Sequence, residues 1–363
     1  MSALTAEHVS DVAEHVSDVV APAAPGRNRV LGLEETTWRW IRRFLLAAYI
    51  VTTYLWLQAW GKVPSDREYI VGWIVGLCLV ATLGRPWRDA GLVIASWAPF
   101  LLALYLYDFA RSVGFRLGRP VAITPQISID RFLGWGRLPT ERLQSALYHP
   151  QISWYDVGVS VIYQSHFIVP YVAAGLLWRN RPVWRWYAAS FVAITFSACC
   201  VFAFWGTAPP WYAASNHKIQ WYRLKLPSER FWPRELAGRG WGRVGLHFAS
   251  RLIEKGQQTV NPFAAIPSLH SAEALLVVLI VWKLIPHAAR WIRPLLLLYP
   301  LAMAFALVYS GEHYLIDVFV GWGFVGVALT MGWWIRQRKG WASPWAAAPR
   351  ATAAPSAAAV SLA

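Results

Sequence analysis

Long apolar runs separated by polar segments make up most of this chain. A transmembrane helix needs about 20 predominantly apolar residues, and a helix satisfies its own backbone polar groups inside a bilayer. The pattern therefore predicts an all-α, polytopic membrane helix bundle with about eight transmembrane helices. The runs lie near residues 42–60, 69–84, 90–109, 157–176, 183–206, 266–285, 291–309 and 313–335.

The composition fits a membrane protein and argues against two other classes. Of the 363 residues, 56% are hydrophobic and 15% are charged, whereas soluble domains carry about 25% charged residues and disordered chains are far less hydrophobic. The 34 Lys and Arg outnumber the 19 Asp and Glu, giving a net charge of +15. Because these bases lie between apolar runs and not in one patch, we expect the bilayer, and no nucleic acid, as the partner.

The short loops predict the orientation of the helices. Lys and Arg collect on the cytoplasmic side of membrane proteins, so we expect an integral plasma-membrane protein with both termini in the cytoplasm. The starts of the sixth and eighth helices would then open to the extracytoplasmic side. The bases that follow this pattern are Arg39, Arg42, Arg43, Arg85, Arg88, Arg179, Arg181, Arg185, Lys283, Arg290, Arg293, Arg336, Arg338 and Lys339.

The chain also divides into regions of different composition. Its polar N-terminal tail carries a tandem repeat, and its C-terminal tail is rich in Ala and Pro, so both tails are expected to be disordered. The predicted regions are the tail 1–38, two accessory helices in 39–89, a membrane core in 90–340 with outer loops 110–156 and 207–265, and the tail 341–363.

Two polar clusters open apolar helices, and ionisable residues inside membrane helices are functional candidates. In the first cluster, Pro267 and Ser268 are typical of a helix start, whose free N–H groups attract an anion such as phosphate. His270 follows within the first turn. In the second cluster, His313 and Asp317 are four residues apart and share a helix face. The carboxylate can hold one imidazole nitrogen, which leaves the other as a base or nucleophile.

These residues carry a family resemblance. The stretches around Pro267-Ser268-Leu269-His270 and around His313 and Asp317 resemble two signature blocks of the type 2 phosphatidic acid phosphatase superfamily. The Pro-Ser-Leu-His variant is closer to the branch that includes inositol phosphorylceramide synthase. Further similarity covers roughly residues 90–335, which implies a six-helix phosphatase-like core. It lies in Ala208-Pro209-Pro210-Trp211, Trp154-Tyr155-Asp156 and Tyr163-Gln164-Ser165-His166-Phe167.

The resemblance implies a role for each matching residue. His313 would attack phosphorus and form a phosphohistidine, with Asp317 orienting its ring. His270 would protonate the leaving oxygen, and Ser268 would help to bind phosphate. No metal or other cofactor is expected, because His, Asp and basic side chains cover each role that a metal would otherwise fill.

The chain departs from the family pattern in its cations. Leu307 occupies the position six residues before the nucleophile where the family has Arg, and the usual Lys, six residues, Arg-Pro block is missing. Phosphoryl transfer still needs positive charge. Arg223 and Arg230 have the same separation as that block, although Phe231 follows in place of Pro, and they are our candidates for phosphate binding.

Three further residues are candidates for supporting positions around the site. His166 is expected inside the fourth helix, about three turns from its outer end, and Asp156 just before that helix. Glu312 precedes the predicted nucleophile. A carboxylate there would repel phosphate unless it activates an acceptor hydroxyl.

These features predict a lipid phosphatase or phosphotransferase whose substrate is a lipid phosphate ester. Water as acceptor would make the protein a phosphatase, and a polyol such as inositol would make it a transferase. The alternative is a non-enzymatic lipid transporter or scramblase built on the same bundle.

Overall fold

The computed structural model describes residues 33–60, 67–116, 121–178, 180–215, 233–247, 249–250 and 263–345. These residues form helices and isolated backbone bridges but no β-strand, so the predicted all-α class is confirmed. The α-helices are α1 (Glu35–Trp60), α2 (Arg67–Thr82), α3 (Trp87–Arg116), α4 (Thr124–Leu133), α5 (Pro139–Leu147), α6 (Trp154–Ser165), α7 (Val169–Leu177), α8 (Arg181–Phe204), α9 (Pro210–Ser215), α10 (Leu269–Leu284), α11 (Arg293–Leu296), α12 (Leu298–Tyr309) and α13 (Leu315–Arg338). Two 3₁₀ segments span Arg239–Val244 and His287–Ile292.

Each of the eight predicted apolar runs coincides with helical residues. Within the described part of the chain, four helical segments are long and apolar enough to cross a membrane: Trp87–Tyr107, Arg181–Phe204, Ala289–Tyr309 and Leu315–Arg338. The pair α6 and α7 makes a fifth if its two halves are one span. The protein is therefore an integral membrane protein, and the count of eight spans stays a prediction.

The expectation that the fourth apolar run forms one helix with His166 inside it is wrong. The run is not a continuous helix, because α6 and α7 are bent by 49° at the break between Ser165 and Val169. Pro170 lies in the first turn of α7, where its missing N–H and fixed φ are tolerated. His166 therefore lies at the end of α6, at the break, and not in the middle of a helix.

The described residues divide into two units, one of residues 33–60 and 67–97 and the other of residues 98–345. In the first unit, α1 packs against α2. The hydroxyl of Tyr49 donates to the carbonyl of Trp73 at 2.7 Å. Arg42 pairs with Glu35 and donates to the carbonyl of Leu83 at 2.8 Å. The bond from Tyr49 joins the two helices, and the bond from Arg42 joins α1 to the residue that follows α2.

The helix α10 lies at the centre of the second unit. It contacts α7, α8, α12 and α13, and α12 in turn packs against α6. Its first three turns are almost wholly buried, with Ala272, Leu276 and Ile280 at 1% exposure or less. A helix that is apolar on every side is buried inside a bundle, so residues at its start are surrounded by neighbouring helices.

Three backbone segments meet just before α10. Thr207 forms parallel bridges with Ala122 and Ala264, and its hydroxyl accepts the N–H of Ile266 at 2.9 Å. The predicted outer loop 110–156 is not irregular throughout, since it contains α4 and α5. The tail residues 1–32 and 346–363 lie outside the described residues.

Candidate active site

The first turn of α10 is fixed by serine side chains. Ser268 is the N-cap residue, and its hydroxyl accepts the N–H of Ser271 at 3.4 Å. The hydroxyl of Ser271 donates to the carbonyl of Ser268 at 3.0 Å. Ser268 is completely buried, so a main task of its side chain is to cap the helix that carries His270.

The first turn of α13 is capped by two carboxylates. Asp317 accepts the N–H of Tyr314 at 2.9 Å. Asp130, on α4, accepts the N–H groups of Leu315 and Ile316 at 2.8 and 2.9 Å. These N–H groups have no partner within the helix, so both carboxylates stabilise the start of α13.

The starts of α10 and α13 are joined directly. The N–H of Ser268 donates to the carbonyl of Asp317 at 3.0 Å, and the hydroxyl of Ser271 donates to the carbonyl of Val318 at 3.3 Å. Gly321 permits this approach, because a Cβ there would lie 2.4 Å from the carbonyl oxygen of Ser268. The two helices that carry the signature residues therefore contact each other directly at their N-terminal ends.

The turn before His313 is held by contacts from distant segments. Gly311 adopts φ 77°, and a Cβ there would lie 2.6 Å from the carbonyl oxygen of Arg234. The side chain of Gln144 donates to the carbonyls of Arg234 and Tyr309 at 2.8 and 2.7 Å and accepts the N–H of Arg234 at 2.8 Å. The N–H of His313 donates to the carbonyl of Leu307 at 3.3 Å.

The two predicted catalytic imidazoles lie side by side. The ring centroids of His270 and His313 are 5.5 Å apart, so one phosphate group can contact both rings. Nδ1 of His313 is 3.5 Å from Oδ2 of Asp317, and that carboxylate is completely buried. Because Nδ1 faces the carboxylate, Nε2 is the ring nitrogen left to react. This geometry is suited to nucleophilic attack at phosphorus beside a second acid or base.

His166 joins the same cluster from the break between α6 and α7. Its ring centroid is 4.0 Å from that of His270, and its Nδ1 is 3.6 Å from Oε2 of Glu273. Tyr163, on the last turn of α6, stacks on the His270 ring at 5.1 Å with an interplanar angle of 20°. Three imidazoles and two carboxylates therefore form one buried cluster.

The other sequence candidates lie at different places. Asp156 caps α6 through the N–H of Ser153 and accepts the hydroxyl of Tyr309 at 2.8 Å, so it reaches the site only through α12. Glu312 is buried beside His313. Arg223 and Arg230 lie outside the described residues. Within the described ranges, no group of three or more His, Cys, Asp and Glu is arranged to hold a metal ion.

The burial of Asp130 has an electrostatic consequence. It raises the pKa of this carboxyl group from 3.8 to about 6. The hydrogen bonds from Ile316 and Leu315 favour the charged form and act against this rise, and the negative charge of Asp317 adds to it. The group that caps α13 therefore changes its charge near pH 6.

Comparison with known protein families agrees with this geometry. The family model described as PAP2 superfamily matches residues 128–331, which is more than half of the chain and includes His166, His270, His313 and Asp317. The chain belongs to the PAP2 superfamily. No curated protein and no solved structure matches the chain. Membership in the PAP2 superfamily supports a phosphatase-type function.

Three residues at this PAP2 site were missed in the sequence. Glu273 had a usable signal, because it is the only acidic residue in the apolar run of α10 and follows His270 by three positions. Asp130 and Gln144 had none. Their partners are 185 and 165 residues away along the chain, and no local pattern indicates such contacts.

Proposed function

We propose that this PAP2 protein is a plasma-membrane lipid phosphatase or phosphotransferase that works through a phosphohistidine on His313. One observation carries the proposal. In a chain of the PAP2 superfamily, the ring centroids of His270 and His313 are 5.5 Å apart at the joined starts of two helices, and Asp317 pairs with His313. By the loop charges, this site faces the extracytoplasmic side and both termini face the cytoplasm.

The first half of the reaction transfers phosphorus from the lipid to the protein. Nε2 of His313 attacks phosphorus, the bond from phosphorus to the lipid oxygen breaks, and His270 gives its proton to that oxygen. Asp317 holds the Nδ1 proton of His313 and stabilises the ring as it becomes charged. The products are a lipid alcohol and phosphohistidine.

The second half regenerates the protein. An acceptor hydroxyl attacks phosphorus, its proton passes to His270, and the bond from phosphorus to Nε2 breaks. With water as acceptor, inorganic phosphate leaves. With a polyol such as inositol, a new phosphate ester leaves. The inositol option rests on the Pro267–His270 block, which resembles that of the synthase branch, and phosphate would be held by Ser268 with Arg223 and Arg230.

The test is turnover by purified protein supplied with phospholipids or polyprenyl phosphates, with and without inositol, followed by mass spectrometry of the products. We expect His313→Ala to abolish turnover and phosphohistidine formation. We expect His270→Ala to slow turnover of lipid esters by about 10²–10⁴-fold, the usual contribution of a general acid or base.

Thr330→Ala is the matched control, because Thr330 lies on α13 but is exposed and bonds only within its own helix. Turnover by His313→Ala at the parental rate would overturn the proposed chemistry. The non-enzymatic alternative, a lipid transporter or scramblase, predicts that the parent protein converts none of these substrates. It also predicts that the protein moves lipids across vesicle membranes and that His313→Ala leaves this movement unchanged.

A further inference from the structure

A carboxylate–imidazole pair that the proposed reaction steps do not use lies next to His270. Oε2 of Glu273 is 3.6 Å from Nδ1 of His166, and the two side chains are 6% and 14% exposed. Glu273 follows His270 by three residues on α10, so both project from one side of that helix. His166 comes from the end of α6, more than a hundred residues earlier.

Two carboxylate–imidazole pairs lie close to His270. The His166 ring is 4.0 Å from the His270 ring, and the His313 ring is 5.5 Å from it. Glu273 accompanies His166 and Asp317 accompanies His313. The His270 imidazole, which must gain and lose a proton in each cycle, therefore lies close to two imidazoles that have their own acidic partners.

Packing alone does not explain why the His166–Glu273 pair is buried in this helix bundle. An ionisable side chain inside a membrane helix is costly and is usually retained for function, and replacing a buried ion pair by apolar side chains is often neutral or stabilising. Three tyrosine phenols interact with the Glu273 carboxyl group, and phenols are uncharged near neutral pH. The titratable groups facing the cluster are Tyr163, Tyr171, Tyr187, Tyr299, His313 and Asp317.

We propose that His166 and Glu273 are positioning residues that hold the His270 ring and stabilise its protonated form. The proposal rests on the proposed function, in which His270 protonates the leaving oxygen and later accepts the proton of the acceptor hydroxyl. In this proposal Glu273 is ionised while His270 is protonated, so that the negative charge of Glu273 favours the imidazolium of His270. The His166 ring, which lies against Glu273 and against His270, limits the movement of the His270 ring. The pair itself takes up no net proton over a cycle.

The first test compares two leaving groups. Glu273→Gln keeps the size of the side chain but removes its charge. A lipid alkoxide must be protonated as it leaves, whereas the phenolate of p-nitrophenyl phosphate need not be. We therefore expect kcat/KM of Glu273→Gln to fall about 10²-fold with the lipid phosphate that the parent turns over, and by less than about threefold with p-nitrophenyl phosphate.

The second test is the pH profile of kcat/KM with the lipid substrate. Without the Glu273 charge the His270 imidazolium is less stabilised, so the alkaline limb should move to lower pH by about one unit, the usual effect of one nearby charge. A double-mutant cycle completes the argument. His166→Ala should slow the parent but have no further effect in His270→Ala, because its effect passes through His270.

Ser165→Ala is the matched control. It removes the 2.9 Å hydrogen bond between Ser165 and Tyr299 beside His166 but removes no charge. We expect it to lower kcat/KM equally for both substrates and to leave the pH profile unchanged. Equal slowing of both substrates by Glu273→Gln, with an unmoved profile, would overturn this inference while the proposed function stands. Lack of turnover by the parent would overturn the proposed function and this inference together.

Discussion

At the scale of single residues, Asp130 shows how a distant carboxylate supports the site. It is completely buried on α4 and accepts the first two N–H groups of α13. A carboxylate at a helix N-terminus satisfies free donors and interacts favourably with the helix dipole. Because α13 carries Asp317 and begins just after His313, this cap fixes the position of the proposed nucleophile.

Asp130 also predicts a pH dependence of stability. Its pKa is raised by burial from 3.8 to about 6, so the native state binds this proton more tightly than the unfolded state does. Stability from this group is therefore lost as pH rises from about 4 to about 6. We expect the melting temperature of the parent, measured relative to Asp130→Asn in detergent, to fall across that range. A constant difference would contradict the raised pKa.

The spacing of His313 and Asp317 was enough to predict their contact, because residues four apart share a helix face. The observed 3.5 Å between Nδ1 and Oδ2 agrees with that expectation. The place of His166 was not predictable in the same way. Its position depends on the break after α6, and no periodicity in the run 157–176 indicated where that helix would bend.

At the scale of helices, the approach of α13 to α10 decides whether the imidazoles meet. Gly321 faces the carbonyl of Ser268 and the hydroxyl of Ser271 so closely that an added Cβ would lie 2.4 and 2.7 Å from them. Small residues at helix contacts allow such approach in membrane proteins. The His270–His313 separation therefore depends on a position that carries no chemistry of its own.

We expect Gly321→Ala to force these helices apart at their starts. Overpacking of this kind costs about 1–3 kcal/mol, so the melting temperature and the turnover rate should both fall. Gly323→Ala is the matched control, because a Cβ at Gly323 would have nothing within 4 Å. Since Ala is the better helix former, this control should melt at the parental temperature or slightly above it. Equal behaviour of the two variants would contradict the role of Gly321.

At the scale of the whole molecule, the charges of the short loops predict which side each helix end faces. The rule counts Lys and Arg near the ends of the spans. It places the long segment that contains His247 outside and the segment after α13 inside. The phosphatase chemistry would then act on lipids of the outer leaflet.

Cysteine labelling in intact cells tests this orientation. In a chain whose three native cysteines are replaced by Ala, we would introduce His247→Cys or Lys339→Cys, both at exposed positions. A membrane-impermeant maleimide should label position 247 in intact cells and position 339 only after permeabilisation. The reverse pattern would invert the topology and place the proposed site on the cytoplasmic side.

Local periodicity and composition were enough to establish the helical class, the positions of the apolar helices and the pairing of His313 with Asp317. The folded structure was needed to show that His166 lies beside His270 and Glu273, and that Asp130 and Gln144 support the turn and helix around His313. Those contacts join residues far apart in the chain. They depend on a helix break and on the close approach at Gly321, which a one-dimensional pattern does not encode.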